Sequence, residues 1–163
     1  MAEIPAQHAV LGQLGHLSNR DGSSCAVLEI ALDTVLLAFD CQAGTIHSLD
    51  AASGMLNLHV SRGIPEAIMP RIQLIPIGKG MAGIAAERRE PVQVCNLQCD
   101  TSGVVRSAAR ETKMEGSIAV PILDGQHLRG TLGIAKPVPY EFSAAESELL
   151  LKVAAVIGRL LGS

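Results

Sequence analysis

Gly78-Lys79-Gly80-Met81-Ala82-Gly83 spells G-x-G-x-x-G, the pattern with which a strand-to-helix turn brings backbone N–H groups up to a pyrophosphate. Asp100 follows roughly twenty residues on, where a dinucleotide site places its ribose-binding carboxylate. That chemistry also needs a buried strand before the turn, and the preceding run, Ile72 to Ile77, contains Pro76. The better reading is a glycine turn into a helix that closes one side of a small-molecule pocket, its free N–H donors able to receive an anionic group. Cys95 and Cys99 are the next candidates. A zinc or iron centre wants four ligands, commonly from two such pairs. Only Cys25, Cys41 and scattered histidines remain, so no metal site is expected. As a redox couple the two thiols would need a lowered pKa and a cationic neighbour, for which Arg88, Arg89 and Arg106 are the available residues. Among histidines, His47 and His59 fall on extended runs, and His59, beside Asn57 and Ser61, is the one candidate for an axial haem ligand. A solvated or hydrogen-bonded strand histidine is the commoner role.

Bulk properties narrow the classes further. The chain has 163 residues, 48% apolar but only 2% aromatic, with no Trp, Tyr140 as its one tyrosine, and Phe39 and Phe142. Its core is therefore built from Leu, Ile, Val and Ala. Single-strand nucleic-acid binders stack bases on aromatics and neutralise phosphates with basic runs. With a net charge of -3 and no basic run, no nucleic-acid partner is expected. Glu29 and Asp33 interrupt the most apolar segment, so no span of about twenty apolar residues exists to cross a bilayer. The acidic N-terminus lacks a signal-peptide pattern, which predicts a cytoplasmic location and reduced thiols.

The elements that must position these groups can be read from periodicity. Val10, Leu11, Leu14 and Leu17 make one stripe on a helix of about residues 5–18. Cys25 to Phe39 is a helix buried on most of its circumference, with Ser23 or Ser24 as N-cap. Thr45 to Leu49 and Met55 to Ser61 read as an antiparallel hairpin, the second strand alternating Leu56, Leu58 and Val60 against Asn57, His59 and Ser61. A short helix over Pro65 to Arg71 leads to the glycine segment, a helix over Met81 to Arg89, a short extended piece over Val92 to Val94, and a weak helix over Val104 to Met114. Ser117 to Leu123 and His127 to Ala135 form a second hairpin, with Asp124-Gly125 predicted as a type I′ turn. Gly130 and Gly133 thin its second strand for the close approach of a ligand or another backbone. Ser143 to Glu146 is an S-x-x-E capping box. Behind it two adjacent apolar stripes cover about 160° of a long helix, so one is assigned to the sheet and the other to a second copy.

The order of these pieces defines an α+β domain with a central antiparallel sheet. Ala43 to Asp50, Ser61 to Pro65, Gly78 to Gly83 with Glu90-Pro91-Val92, Ser117 to Ile122, Arg129 to Ala135 and Phe142 to Glu146 together resemble a GAF domain, collinearly over about residues 24–161. The resemblance implies a single GAF-like domain over 1–163. Like PAS domains, it would carry its N- and C-terminal helices on one sheet face. The pocket would lie between the face bearing His59 and a lid of short helices and loops, residues 64–113. Such domains sense cyclic nucleotides, bilins, haem-bound gases, nitric oxide at iron, oxo-acids or nitrate, and many simply dimerise. The expected pocket residues are His59, Ser61, Arg62, Met81, Cys95, Cys99, Arg106, Ser117 and Ala119; the expected dimer contacts are Leu14, Leu17, Leu150, Ile157 and Leu161. The resemblance leaves the cofactor unknown. The Asn-Lys-x-Phe-Asp-Glu type signature of cyclic-nucleotide binding and the Cys-His pair of bilin attachment are missing. The resemblance implies a non-catalytic sensory or regulatory domain, free-standing or joined to an effector. Two alternatives stand beside it. One is a free methionine sulfoxide reductase of this fold, which would carry a cysteine in the glycine segment where this chain has Met81. The other is a ligand-free dimerisation module with Met81 and Met114 filling the pocket.

Overall fold

The computed structural model describes residues 5–17 and 24–161. Helices α1 (Pro5–Leu17) and α2 (Ser24–Phe39) lead into the hairpin β1 (Ala43–Asp50) and β2 (Met55–Arg62). Then come α3 (Met69–Ile72), β3 (Leu74–Pro76), α4 (Gly80–Arg88), β4 (Val92–Val94) and α5 (Ser107–Glu111). The hairpin β5 (Gly116–Asp124) and β6 (His127–Lys136) and the long helix α6 (Ala144–Leu161) complete the chain. The strands form one six-stranded sheet in the order β3-β2-β1-β6-β5-β4. Every pairing is antiparallel, which removes the parallel strand-helix-strand unit that a dinucleotide turn requires.

Apolar alternation sorts the two sheet faces. Ile46, Val60, Ile118, Val120, Ile122, Leu132 and Ile134 point to one side, where α1, α2 and α6 bury Leu14, Leu28, Leu32, Leu150, Val153 and Ile157 against them. Burying each such side chain contributes about 1.5–3 kcal/mol, so this three-helix layer is the main source of stability. The other face carries smaller clusters around Leu56, Ile75 and Ala86, and around Ala85, Val92 and Ala119. Short α3, α4 and α5 and their loops cover it.

Helix α6 begins on the expected capping box: Glu146 N–H donates to Ser143 Oγ at 3.1 Å, and Ser143 N–H to Glu146 Oε1 at 2.9 Å. The predicted N-cap Ser23 lies outside the described residues. Several elements are shorter than their patterns suggested. Pro65 to Ile68 forms a turn with helix only at Met69–Ile72, and the Val104 to Met114 segment is helical only over Ser107–Glu111. The β5–β6 turn uses Gly125-Gln126, not Asp124-Gly125, with Asp124 already paired to His127 and positive φ at Gly125 but not at Gln126. That is the pattern of a type II′ turn, which needs glycine only at its first central position.

One irregularity decides which side chains face the lid. Ile46 pairs with Val60 but His47 pairs with Leu58, so β2 carries one extra residue, His59, in a β-bulge. A bulge shifts the alternation of everything beyond it. Leu56 therefore faces the lid while Val60 faces the helices, and the expected single stripe of Leu56, Leu58 and Val60 is broken.

Candidate functional site

Between the sheet and its lid lies a cavity of about 150 Å³. Its floor comes from Thr45 and His47 on β1, Gly133 and Ala135 on β6, and Ser117 and Ala119 on β5. Ile68, Ile72, Leu97 and Met114 supply apolar walls, and Lys79, Gly80, Met81 and Ala82 bring the start of α4 to its edge. The glycine segment makes this edge possible. Gly80 has φ +67°, a left-handed conformation that favours glycine. At Gly83 a Cβ would lie 2.4 Å from the carbonyl oxygen of Pro76, so α4 can lie this close to β3 only without a side chain there.

His47 is the buried polar group of the floor, 1% exposed. Its Nε2 is 2.8 Å from the carbonyl oxygen of Ile72. A carbonyl only accepts, so Nε2 carries the proton and Nδ1 is left as an acceptor. That Nδ1 is buried and has no partner among the described residues, and neither has the hydroxyl of Thr131, which stands directly opposite on β6. Burial holds the His47 pKa below its ordinary value, against the raising effect of the Ile72 hydrogen bond; His59 lowers it further. The imidazole is neutral.

Of the residues expected from sequence, Met81, Arg106, Ser117 and Ala119 line the cavity and five do not. His59 is the bulge residue. It is turned to the helix side, where its Nε2 meets Ser48 Oγ at 2.7 Å beside Leu28 and Leu161. The lid-side histidine is His47, so the sheet face assigned to the pocket, and the haem-ligand role considered for His59, are corrected together by the bulge. Ser61 donates to Met69 Sδ at 3.4 Å under the lid. Arg62 reaches away to α2, with Nε 2.8 Å from Asp33 Oδ1 and a longer contact to Glu29. The Asp33 hydrogen bond, foremost, holds its pKa above the ordinary arginine value against an opposing burial effect, with the charges of Asp33 and Glu29 adding to the rise. Cys95 and Cys99 are exposed, and Leu97 between them is the side chain that turns into the cavity. Cys41 is buried and its thiol is pushed up to about 12, chiefly by burial. No described group of three or more His, Cys, Asp or Glu side chains is arranged to hold a metal ion.

Sequence reasoning missed Thr45, His47, Arg71, Lys79 and Gly133 as lining residues. Gly133 had a signal, because a glycine inside a strand marks close approach. Had the bulge been known, the alternation of β1 would have found Thr45 and His47.

The positive charge at the mouth is unevenly compensated. Arg71 is paired with Glu111 and donates to Ser107 Oγ at 2.8 Å. Arg106 crosses the start of α4, its Cδ 2.8 Å from where a Cβ on Gly80 would stand.

The family model described as GAF domain matches residues 24–161. No curated protein sequence matches this chain. Among solved structures, the GAF domain of a phosphoenolpyruvate-protein phosphotransferase from Coxiella burnetii aligns with a TM-score of 0.80 at 19% identity, covering 95% of this chain and 93% of that one. The corresponding Acinetobacter domain gives 0.77 at 20% identity, covering 99% and 95%. The free methionine-R-sulfoxide reductase of Neisseria meningitidis, in complex with its substrate, also gives 0.80, at 18% identity, covering 99% and 93%. Likeness at these identities establishes the fold, which the phosphotransferase domains and the reductase share.

Proposed function

The chain belongs to the GAF domain family, and from that premise we propose that it is a non-catalytic sensory or regulatory domain that binds a small molecule in the lid-side cavity. The carrying observation is the cavity itself: apolar walls, a few convergent polar groups and no cysteine among its lining residues. Its floor strands are the same strands whose opposite faces hold α6 through Ile118, Val120 and Leu132. A ligand that favours one arrangement of lid and floor therefore shifts the packing of the helical layer by its differential affinity for the two states.

The reductase reading is favoured only by shared fold with a known enzyme. It needs a thiolate at the substrate, whereas Cys95 and Cys99 face solvent and Cys41 is held as an inert thiol on the far side of the sheet. We also propose that the domain pairs with a second copy through the outer face of its helices, where Ile30 and Leu37 lie seven residues apart on α2 and are 43% and 86% exposed. Native mass spectrometry of the purified protein tests the main reading, with a co-purified small molecule as the expected result. Thiol-dependent reduction of free methionine sulfoxide by the wild type, lost in Cys99→Ser, would overturn it.

A further inference from the structure

Resting on the reading that the cavity takes a small molecule, we propose that its ligand is a small monoanionic acid. Its carboxylate sits at the mouth between Arg106, Lys79 and the first N–H groups of α4, its apolar body fills the cavity, and a hydrogen-bond donor on that body meets His47 Nδ1.

The charge follows from what is left unpaired. Gly80, Met81 and Ala82 are the first three residues of α4, and no acceptor meets their N–H groups among the described residues. Lys79 is the N-cap and makes no side-chain cap bond. Neither Lys79 nor Arg106 has a side-chain hydrogen bond or ion pair among the described residues, in contrast to Arg71 and its partner Glu111. Glu87 lies against Gly78 but does not line the cavity. Two uncompensated cations and a helix N-terminus, all bordering one cavity, favour an anion.

Size and polarity follow from the interior. An apolar cavity of about 150 Å³ accepts a molecule of about benzene size. A nucleotide or a tetrapyrrole is larger than this cavity. His47 then sets the far end of the ligand. Its Nε2–H is committed to Ile72, so it can only accept at Nδ1, and an unsatisfied buried acceptor is destabilising until a ligand O–H or N–H meets it. The ligand is thus acidic at one end and carries a donor at the other.

The probes are 4-hydroxyphenylacetate, its amide 4-hydroxyphenylacetamide, and phenylacetate, titrated calorimetrically into wild type, Arg106→Gln and His47→Phe. The hydroxy acid binds the wild type at least about tenfold more tightly than its amide, and Arg106→Gln removes that preference. Phenylacetate binds the wild type several-fold more weakly than the hydroxy acid, a difference that disappears in His47→Phe. Should that variant not fold, the comparison of the two acids in the wild type carries this arm. Equal binding of acid and amide, an Arg106→Gln affinity within twofold of wild type, or no binding by any of the three overturns the proposal. A neutral or cationic molecule co-purifying with the wild type, and lost from the cavity-filling variant Ala119→Phe, overturns it too while leaving the sensory reading intact. A cavity that retains no molecule of any charge counts against both.

Discussion

At the scale of single residues, His47 and the cysteines make predictions that need no ligand. His47 is buried and neutral, with a folded pKa below its ordinary 6.5. In the unfolded chain it takes up a proton near that ordinary value, so the unfolded state binds more protons as pH falls below it. Stability is full above that pH and declines on acidification toward the folded pKa. Urea denaturation from about pH 7 to about pH 5 is expected to show a steeper loss for wild type than for His47→Gln, which lacks the titrating group. Equal slopes would place the His47 ring in water. The thiols give a second contrast. Native-state alkylation followed by peptide mass spectrometry should modify Cys95 and Cys99 and spare Cys41, whose thiol is raised to about 12 and donates toward the Phe39 carbonyl. Labelling of Cys41 at the same rate as the other two would contradict its burial.

At the scale of elements, the turn into α4 and the bulge in β2 carry the site. Gly83→Ala forces a methyl against the Pro76 carbonyl oxygen and is expected to cost about 2 kcal/mol or more in chemical denaturation. Gly12→Ala is the counter-case. Gly12 lies on the exposed side of α1 with nothing within 4 Å of a Cβ, so alanine there should stabilise by about 0.5–1 kcal/mol. Opposite signs at two helical glycines would confirm that one is kept for space and the other is not. The end of α2 is similarly specified: Lys136 Nζ donates to the Phe39 and Asp40 carbonyl oxygens at 2.7 and 3.1 Å and sits 4.4 Å from the centroid of the Tyr140 ring. That buried ammonium caps a helix C-terminus, where cations are favoured.

At the scale of the molecule, the sheet separates a cavity on one face from a helical layer on the other. Leu14, Leu17, Leu150 and Ile157, expected at a dimer contact, are buried within one chain where α1 rests on α2 and α6. The second stripe of α6 is therefore satisfied by the chain's own first two helices. Only Leu161 of that set is half-buried. A pairing surface must then use what the layer leaves outside, chiefly Ile30 and Leu37. Sedimentation at high micromolar concentration is expected to show a dimer that Leu37→Glu converts to monomer. A wild-type monomer, or an unchanged variant dimer, would remove the helical face as the interface. Among described residues, no helix is long and apolar enough to cross a membrane.

The amino-acid sequence by itself determined the antiparallel α+β class, the order of elements and the capping box at Ser143, and it pointed to Met81, Arg106, Ser117 and Ala119, which line the cavity. Local periodicity, turn chemistry and strand glycines act over a few residues, and those are the distances at which such signals are written. Tertiary structure alone decided which histidine faces the cavity and which leucines stay free. One inserted residue in β2 reverses the faces beyond it, and its position depends on pairing with β1, a partner the strand's own pattern does not name. The width of the apolar surface on α6 was legible in the same way, but what covers it was not, because burial is a property of the whole packed layer rather than of the helix that enters it.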